Sequence, residues 1–160
     1  MICKAALLTA LVAAQPAVDQ PVGPPTSLSL RIISISGPAI TVEISNDSGK
    51  AVRLFTESNT WGADRWRVVD IGANGVKSFF MEVPEAYTRN VPETFSIPSG
   101  GKWKRNFLMT GKEWSSSNKH SWSTRPGDTV LVEYDLRWEE MPGDQEGVWH
   151  GFLVAAKKVE

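Results

Sequence analysis

Cysteine and histidine, the residues that metal and thiol sites rely on most, are nearly missing from this chain. The only cysteine is Cys3, and the two histidines are His120 and His150. A chain that loses its N-terminus through processing keeps no thiol, which excludes disulfides and thiol chemistry in the remainder. A zinc site needs three or four His, Cys or carboxylate ligands at a recognisable spacing, and none is seen. The sequence therefore predicts no metal and no cofactor.

Signature motifs of the common enzyme classes are missing too. The chain has no G-x-S-x-G nucleophile elbow and no glycine-rich phosphate loop. Carboxylate pairs of the kind that calcium sites and glycosidases use do occur, at Glu43/Asp47, Glu139/Glu140 and Asp144/Glu146. The further oxygen ligands of a calcium loop are missing, and solvated turn carboxylates are the simpler interpretation. We predict that the protein is not an enzyme.

The chain also lacks an excess of positive charge. Its formal net charge is −1, which argues against a nucleic-acid partner. Its one long apolar run, Ala5–Ala14, is too short to cross a bilayer but has the length of a signal-peptide core. Small residues at Val12 and Ala14 suit cleavage before Gln15. The pattern predicts a signal peptide over 1–14 and a secreted or periplasmic product with no transmembrane anchor; the alternative is an ordinary N-terminal helix, buried or frayed.

Proline is concentrated directly after this leader. Residues 15–26 (QPAVDQPVGPPT) have the composition of an extended, semi-rigid linker. No second linker of this kind follows, and the length of the remainder suits one domain. We expect a single folded domain over 27–160.

From Ser27 onward the chain shows short apolar runs and period-two alternation, with turn residues between them. This pattern is typical of β-strands, and no helical periodicity occurs outside the leader. The predicted strands are Ser27–Ser36, Ala39–Ser45, Ala51–Glu57, Arg65–Ile71, Val76–Val83, Thr94–Ile97, Lys102–Met109, Thr129–Glu139 and Val148–Val159. The first three read as a meander, Asn74-Gly75 predicts a tight turn, and the last two strands should pair. An all-β fold of about eight strands follows, either a sandwich or a closed barrel.

Several short motifs then resemble a known type of domain. Ile97–Gly101 (IPSGG) is similar to the I-P-P-G-G entry into a strand of exported bacterial immunoglobulin-like domains. Arg125–Asp128, continuing as PGDTVLVEY, resembles their P-G-x-Y-x-V-x-x-x-Y strand, and Trp149–Gly151 resembles the W-x-G that opens their last strand. Asn46–Gly49 resembles an early turn. The likeness spans Ser27–Val159 and implies an immunoglobulin-like antiparallel β-sandwich of unassigned function, in a group that includes proteinase-inhibitor-like modules.

One position departs from that pattern. The tyrosine expected two residues after Gly127 is Thr129 here. In immunoglobulin-like folds a tyrosine near this corner hydrogen-bonds back to the backbone, and threonine cannot reach as far. Some other group must hold the corner if the resemblance is correct.

Tryptophan is the abundant residue, with seven in the chain. Four fall on strand patterns and are expected in the core, namely Trp66, Trp103, Trp138 and Trp149. Three lie in turn-rich stretches, Trp61, Trp114 and Trp122, and these are the candidate binding residues. Each either folds back as a plug at the end of the sandwich or is exposed as a contact for a protein or a sugar.

The predicted function is that of a non-catalytic exported binding or structural module whose partner is another protein. Two alternatives stay open. The first is a carbohydrate-binding module that uses the loop tryptophans, with a polysaccharide as partner. The second is a proteinase inhibitor whose reactive segment is Gly111–Arg125, with basic positions Lys112, Lys119 and Arg125.

Overall fold

The fold was analysed in a computed structural model, which describes residues 28–57, 62, 65–83, 93–116, 121–137 and 147–160. The predicted signal peptide 1–14 and linker 15–26 lie outside these residues, as do Trp61 and Trp138.

Strands and turns make up the described residues, which contain no helix. The ten strands are β1 (Leu28–Ser36), β2 (Ala39–Asn46), β3 (Val52–Phe55), β4 (Trp66–Ile71), β5 (Lys77–Glu82), β6 (Thr94–Ile97), β7 (Lys102–Leu108), β8 (Trp114–Ser116), β9 (Thr129–Asp135) and β10 (Phe152–Lys158). Nothing in the described part is a helix of the length and apolarity needed to cross a membrane. The predicted all-β class is confirmed.

Two sheets enclose one core. A three-stranded sheet has the order β1-β2-β7, and a five-stranded sheet has the order β10-β9-β4-β5-β8. Side chains alternate between the faces of a strand, so Val42 and Ile44 of the first sheet and Val68 and Val132 of the second point inward and are fully buried. Each sheet ends in two edge strands within the described residues, and the arrangement is a β-sandwich-like fold rather than a closed sheet.

A short third ribbon continues the three-stranded sheet. β3 pairs with β6, and the ribbon joins β2 and β7 through two backbone bonds, from Asn46 N to Gly101 O at 3.0 Å and from Gly100 N to Asn46 O at 2.8 Å. The predicted meander of the first three strands is therefore wrong. The Asn46–Gly49 turn does not fold β3 back onto β2, because β7 already occupies that edge of β2.

Asn46 fixes the bend between β2 and β3. Its side chain is fully buried, and its Nδ2 donates to the carbonyl oxygens of Lys50 and Ile97 at 2.8 Å and of Pro98 at 3.1 Å. Its Oδ1 accepts from the backbone N–H of Ser48 at 3.0 Å. Asn46-Asp47-Ser48 matches a glycosylation sequon, but in the folded chain the acceptor nitrogen is inside the protein.

Most predicted strands and turns lie where the alternation places them. The Asn74-Gly75 turn joins β4 to β5, with Gly75 at a φ of 81° and a bond from Gly72 N to Val76 O at 2.9 Å. β9 and β10 pair antiparallel over their whole length. In β7, Phe107 is buried and Arg105 interrupts the inward face, as the sequence indicates.

The segment Gly111–Arg125 contains a strand that the sequence analysis missed. β8 lies within it and pairs with β5, with Glu82 opposite Trp114 and Phe80 opposite Ser116. The stretch is too short and too rich in serine to show a period. Its place is set by the neighbouring strand and by burial of Trp114 rather than by local pattern.

Asp128 holds the corner that precedes Thr129. Its side chain is 6% exposed; Oδ1 accepts from Ala73 N at 3.0 Å and Oδ2 from Arg125 N at 2.7 Å. Backbone bonds from Gly127 N to Val159 O and from Val159 N to Asp128 O close the same corner. The corner is therefore held by a buried carboxylate and by backbone hydrogen bonds.

Candidate functional site

Two of the three candidate tryptophans are described. Trp114 is 4% exposed and packs edge-on against Phe107, with ring centroids 5.2 Å apart. Trp122 is half-buried, and its Nε1 donates to Gly37 O at 3.0 Å. Its ring packs edge-to-face with the ring of Phe80, with the ring centroids 5.3 Å apart. Trp114 thus acts as a plug, while Trp122 keeps some free surface. A binding role for Trp61, Trp114 and Trp122 stays a prediction.

The outer face of the five-stranded sheet carries exposed apolar side chains on neighbouring strands. On β4, Trp66 and Val68 point inward, so Val69 and Ile71 point outward. We call the outward apolar set of this sheet the outer apolar face. It comprises Val69, Ile71, Phe79, Met81, Leu131 and Val154.

Register places these side chains side by side. Val69 lies directly between Phe79 of β5 and Leu131 of β9. Because both neighbours cover it, Val69 is only 4% exposed although it points away from the core. Phe79 and Met81 are 50% and 51% exposed. A contiguous apolar patch of this kind is uncommon on a surface that has no partner, since an open sheet face usually carries polar residues.

Most of the exposed charges around the outer apolar face are positive. Arg67, Lys77 and Lys158 are exposed at its border, and one exposed acid, Glu113, lies opposite Val83 at the edge next to β5. Two further acids on this face are partly covered: Glu133 lies opposite Arg67, and Asp135 accepts two hydrogen bonds from the Arg137 guanidinium at 2.9 and 2.8 Å. Those bonds hold the pKa of Asp135 below its ordinary value. The face therefore presents an apolar centre with a basic rim.

The opposite outer face, on the three-stranded sheet, is polar. Glu43 lies at its centre with 2% of its side chain exposed. Arg31 donates to its Oε1 at 2.9 Å, and the ammonium groups of Lys102 and Lys104 lie 3.3 and 3.8 Å from its carboxylate oxygens. Burial would raise the pKa of Glu43, but the hydrogen bonds from Arg31 and Lys102 outweigh it and lower the pKa.

This lowered pKa makes stability depend on pH in a defined direction. A carboxyl whose pKa is lower in the folded state stabilises the fold above its ordinary pKa of 4.5, and that contribution is lost as pH falls through the folded pKa. We expect Glu43→Gln to reduce the free energy of unfolding at pH 7, and the difference from the wild type to shrink at pH 3. Urea unfolding at both pH values measures this. An equal difference at the two pH values would contradict it.

An ion cluster lies between the sheets. Arg105, 16% exposed, pairs with Glu57, with Nη1 to Oε1 at 2.7 Å, and with Glu82 through Nη2. Its guanidinium covers the rings of Trp66 and Phe107 at 5.4 and 4.7 Å. Burial raises the pKa of Glu57, Arg105 lowers it, and Glu82 raises it again. The Arg105 guanidinium pairs with both carboxylates. We therefore interpret the cluster as a partly buried salt bridge and not as a general acid with a general base.

The remaining sequence candidates are not brought together within the described residues. His150, Lys112 and Arg125 are exposed, and His120 and Lys119 lie outside the described part. The carboxylate pairs Glu139/Glu140 and Asp144/Glu146 also lie outside it. Across the described residues, no three His, Cys, Asp or Glu side chains are grouped so that they could hold a metal ion.

Sequence reasoning missed the outer apolar face. Val76–Val83 was predicted as a strand, and the signal was the loss of alternation within it, where Phe79, Phe80 and Met81 are all apolar. Val68-Val69 on β4 repeats that signal. Consecutive apolar residues in strands of an antiparallel sheet indicate that both faces are apolar. Comparison of the chain with protein-family models, with curated proteins and with solved structures finds no match.

Proposed function

We propose that the protein is an exported, non-catalytic binding module of the immunoglobulin-like type that contacts another protein through the outer apolar face. The observation that carries this proposal is the half-exposed pair Phe79 and Met81 beside the covered Val69. An aromatic and a methionine side chain on a flat, contiguous patch are residue types enriched in protein interfaces. The signal peptide predicted over 1–14 supports export to the periplasm or the medium.

The strand order supports the immunoglobulin-like assignment. The three-stranded sheet takes β1, β2 and β7, and the five-stranded sheet takes β4, β5, β9 and β10 together with β8. With the β3/β6 ribbon counted in the layer that it continues, the chain crosses between the layers after β3, after β5 and after β7. Connections of this kind are typical of Greek-key sandwiches.

The rim charges favour one kind of partner. Arg67, Lys77 and Lys158 surround the apolar centre, so a partner with an apolar patch and an acidic border would match it. A second copy of this chain would place the same basic rim opposite itself, which is unfavourable. We therefore propose a different protein with an acidic rim as the partner.

A photocrosslinker placed at position 79 tests this contact. Leu108 is a matched control, because it is an outward residue of similar exposure, 46%, on the opposite sheet. We expect the residue at 79 to crosslink one protein in cells that make the chain, and the residue at 108 not to. The purified partner should then bind the wild type with an affinity that falls as salt rises. Equal crosslinking from both positions, or crosslinking only to a second copy, would overturn the proposal.

The two alternatives have unequal support. Proteinase inhibition through Gly111–Arg125 is weakened, since β8 ties the first part of that segment into the five-stranded sheet. Carbohydrate binding has one specific observation in its favour, the half-buried Trp122, which lines a cleft of about 480 Å³.

A further inference from the structure

Strand β7 has one edge that no other strand of the described residues covers. It is the last strand of the three-stranded sheet and pairs with β2 on one side only. At the other end of that sheet, β1 lies against β10, and Lys157 Nζ donates to Ile33 O between them at 2.7 Å. The edge strand β8 has three residues, whereas β7 has seven. Within the described part of the chain, β7 is therefore the longest open edge.

The hydrogen bonds at the two ends of the β2–β7 pair show which main-chain groups this edge presents. At one end Asn46 N–H donates to Gly101 O, and at the other Met109 N–H donates to Pro38 O. Bonded and non-bonded residue pairs alternate along an antiparallel ladder, so the odd-numbered residues of β7 bond to β2. The main-chain groups of the even-numbered residues point away from β2, and these residues are Lys102, Lys104, Asn106 and Leu108.

Most of these outward main-chain groups are open. Among the described residues, no hydrogen bond is made to the N–H or C=O groups of Lys102, Lys104 and Asn106, whose side chains are exposed. Leu108 O accepts from Thr110 N at 2.7 Å, so the open stretch ends before Leu108. A row of unpaired main-chain groups at a sheet edge is a template on which another strand can be added.

The outer side of this edge is positive. The side chains of Lys102 and Lys104 are 55% and 62% exposed, and together with Arg31 they share the single carboxylate of the buried Glu43. Three cations around one acid leave an excess of positive charge. A second copy of β7 would bring two more lysines to the same side, which is unfavourable because like charges repel across neighbouring strands. A strand with acidic side chains would instead be attracted.

The inner side of the same edge is aromatic. Trp103 is half-buried and packs on Phe95, with ring centroids 5.0 Å apart. Arg105, the next inner residue, is already paired with Glu57 and Glu82. Because successive side chains of a strand point to opposite faces, every second residue of an added strand would lie beside Trp103. A segment that alternates acidic and apolar residues therefore fits both sides of the edge.

We propose that β7 takes up an extended segment of another protein as an additional strand along Lys102–Asn106, and that this segment alternates acidic and apolar residues. Main-chain hydrogen bonds supply the affinity, and the two lysines select the charge. This edge belongs to the three-stranded sheet and the outer apolar face to the five-stranded sheet. Loss of one contact therefore leaves the other in place.

Amide chemical shifts of the labelled full chain test this edge with three peptides of about nine residues. The first alternates glutamate with valine, the second alternates lysine with valine, and the third is the first peptide with every backbone nitrogen methylated. At a peptide concentration of about 5 mM, a dissociation constant in the millimolar range is visible. We expect the glutamate peptide to shift the amide protons of Lys102, Lys104 and Asn106 downfield, since they gain hydrogen bonds. The other two peptides should bind at least about tenfold more weakly, because one has the wrong charge and the other has no N–H donor.

Paired variants separate the two lysines from positive charge in general. Lys102→Gln combined with Lys104→Gln should weaken binding of the glutamate peptide about fivefold, as expected for two exposed ion pairs. Arg67→Gln combined with Lys158→Gln removes two exposed cations beside the outer apolar face and should leave binding unchanged. The proposal is overturned if the glutamate peptide leaves the three amide signals in place, or if the methylated peptide binds equally well. Equal weakening by the two double variants would also contradict it.

Discussion

Asn46→Ala is expected to reduce the free energy of unfolding by about 3–5 kcal/mol. The variant loses the hydrogen bonds that Nδ2 shares among three backbone carbonyl oxygens and the one that Oδ1 accepts. It also leaves a cavity at the bend that joins the β2–β7 strand pair to the β3–β6 strand pair. Urea unfolding followed by near-ultraviolet circular dichroism measures the change.

Asp47→Ala is the matched control for that experiment. Asp47 is the next residue in the same turn but is exposed, so its replacement should change stability by no more than about 0.5 kcal/mol. A loss below about 1 kcal/mol for Asn46→Ala would show that the side chain does not fix the bend.

The second large effect is expected at Arg105. Removing this guanidinium with Arg105→Ala leaves Glu57 and Glu82 as two acids without their shared cation in the core. Breaking a buried ion pair by removing one partner costs about 3–5 kcal/mol, and because Glu57 is 31% exposed we expect a loss near the lower end of that range. The loss should diminish as pH falls, since protonation of the two carboxyls removes their charge.

A triple variant separates charge from packing at this cluster. Arg105→Met combined with Glu57→Gln and Glu82→Gln keeps similar volumes and removes all charge. Its stability should lie within about 2 kcal/mol of the wild type, because replacing a whole buried ion cluster is often neutral. Arg137→Ala, which removes the exposed partner of Asp135 near the surface, serves as the control for a surface pair and should cost less than about 1 kcal/mol. A triple variant as unstable as Arg105→Ala would contradict the electrostatic explanation.

Local pattern was enough to predict most strands but not their partners. Alternation in Thr129–Asp135 and the Asn74-Gly75 turn are local signals, and both were interpreted correctly. The pairing of β3 with β6 is not local, since it joins Val52 to Ile97 across much of the chain. No period in either strand specifies that partner, so the meander was the wrong choice.

Burial of individual side chains was harder to predict than strand position. Trp114 lies in a serine-rich stretch that reads as a surface loop, yet pairing of β8 with β5 buries it. Asp128 reads as a turn residue, and its role at the corner depends on Ala73, which is distant in sequence. Side chains whose partners come from another strand give no signal in their own neighbourhood.

The outer apolar face also depends on strands that are distant in sequence, so local pattern did not reveal it as a candidate site. The sequence marks Phe79-Phe80-Met81 as apolar, but only the sheet order shows that Val69 and Leu131 extend the patch across three strands. The abundance of tryptophan directed the sequence analysis to the loops, whereas Phe79 and Met81 are half-exposed on the five-stranded sheet.

The dissociation constant of the crosslinked partner, measured for the wild type, Phe79→Asp and Leu108→Asp, tests the role of the outer apolar face most directly. A charge placed at the centre of a protein interface should weaken binding about 30-fold or more, while the same change on the opposite sheet should leave the constant within about twofold. Equal affinities for the three proteins would contradict the assignment of this face as the interaction surface.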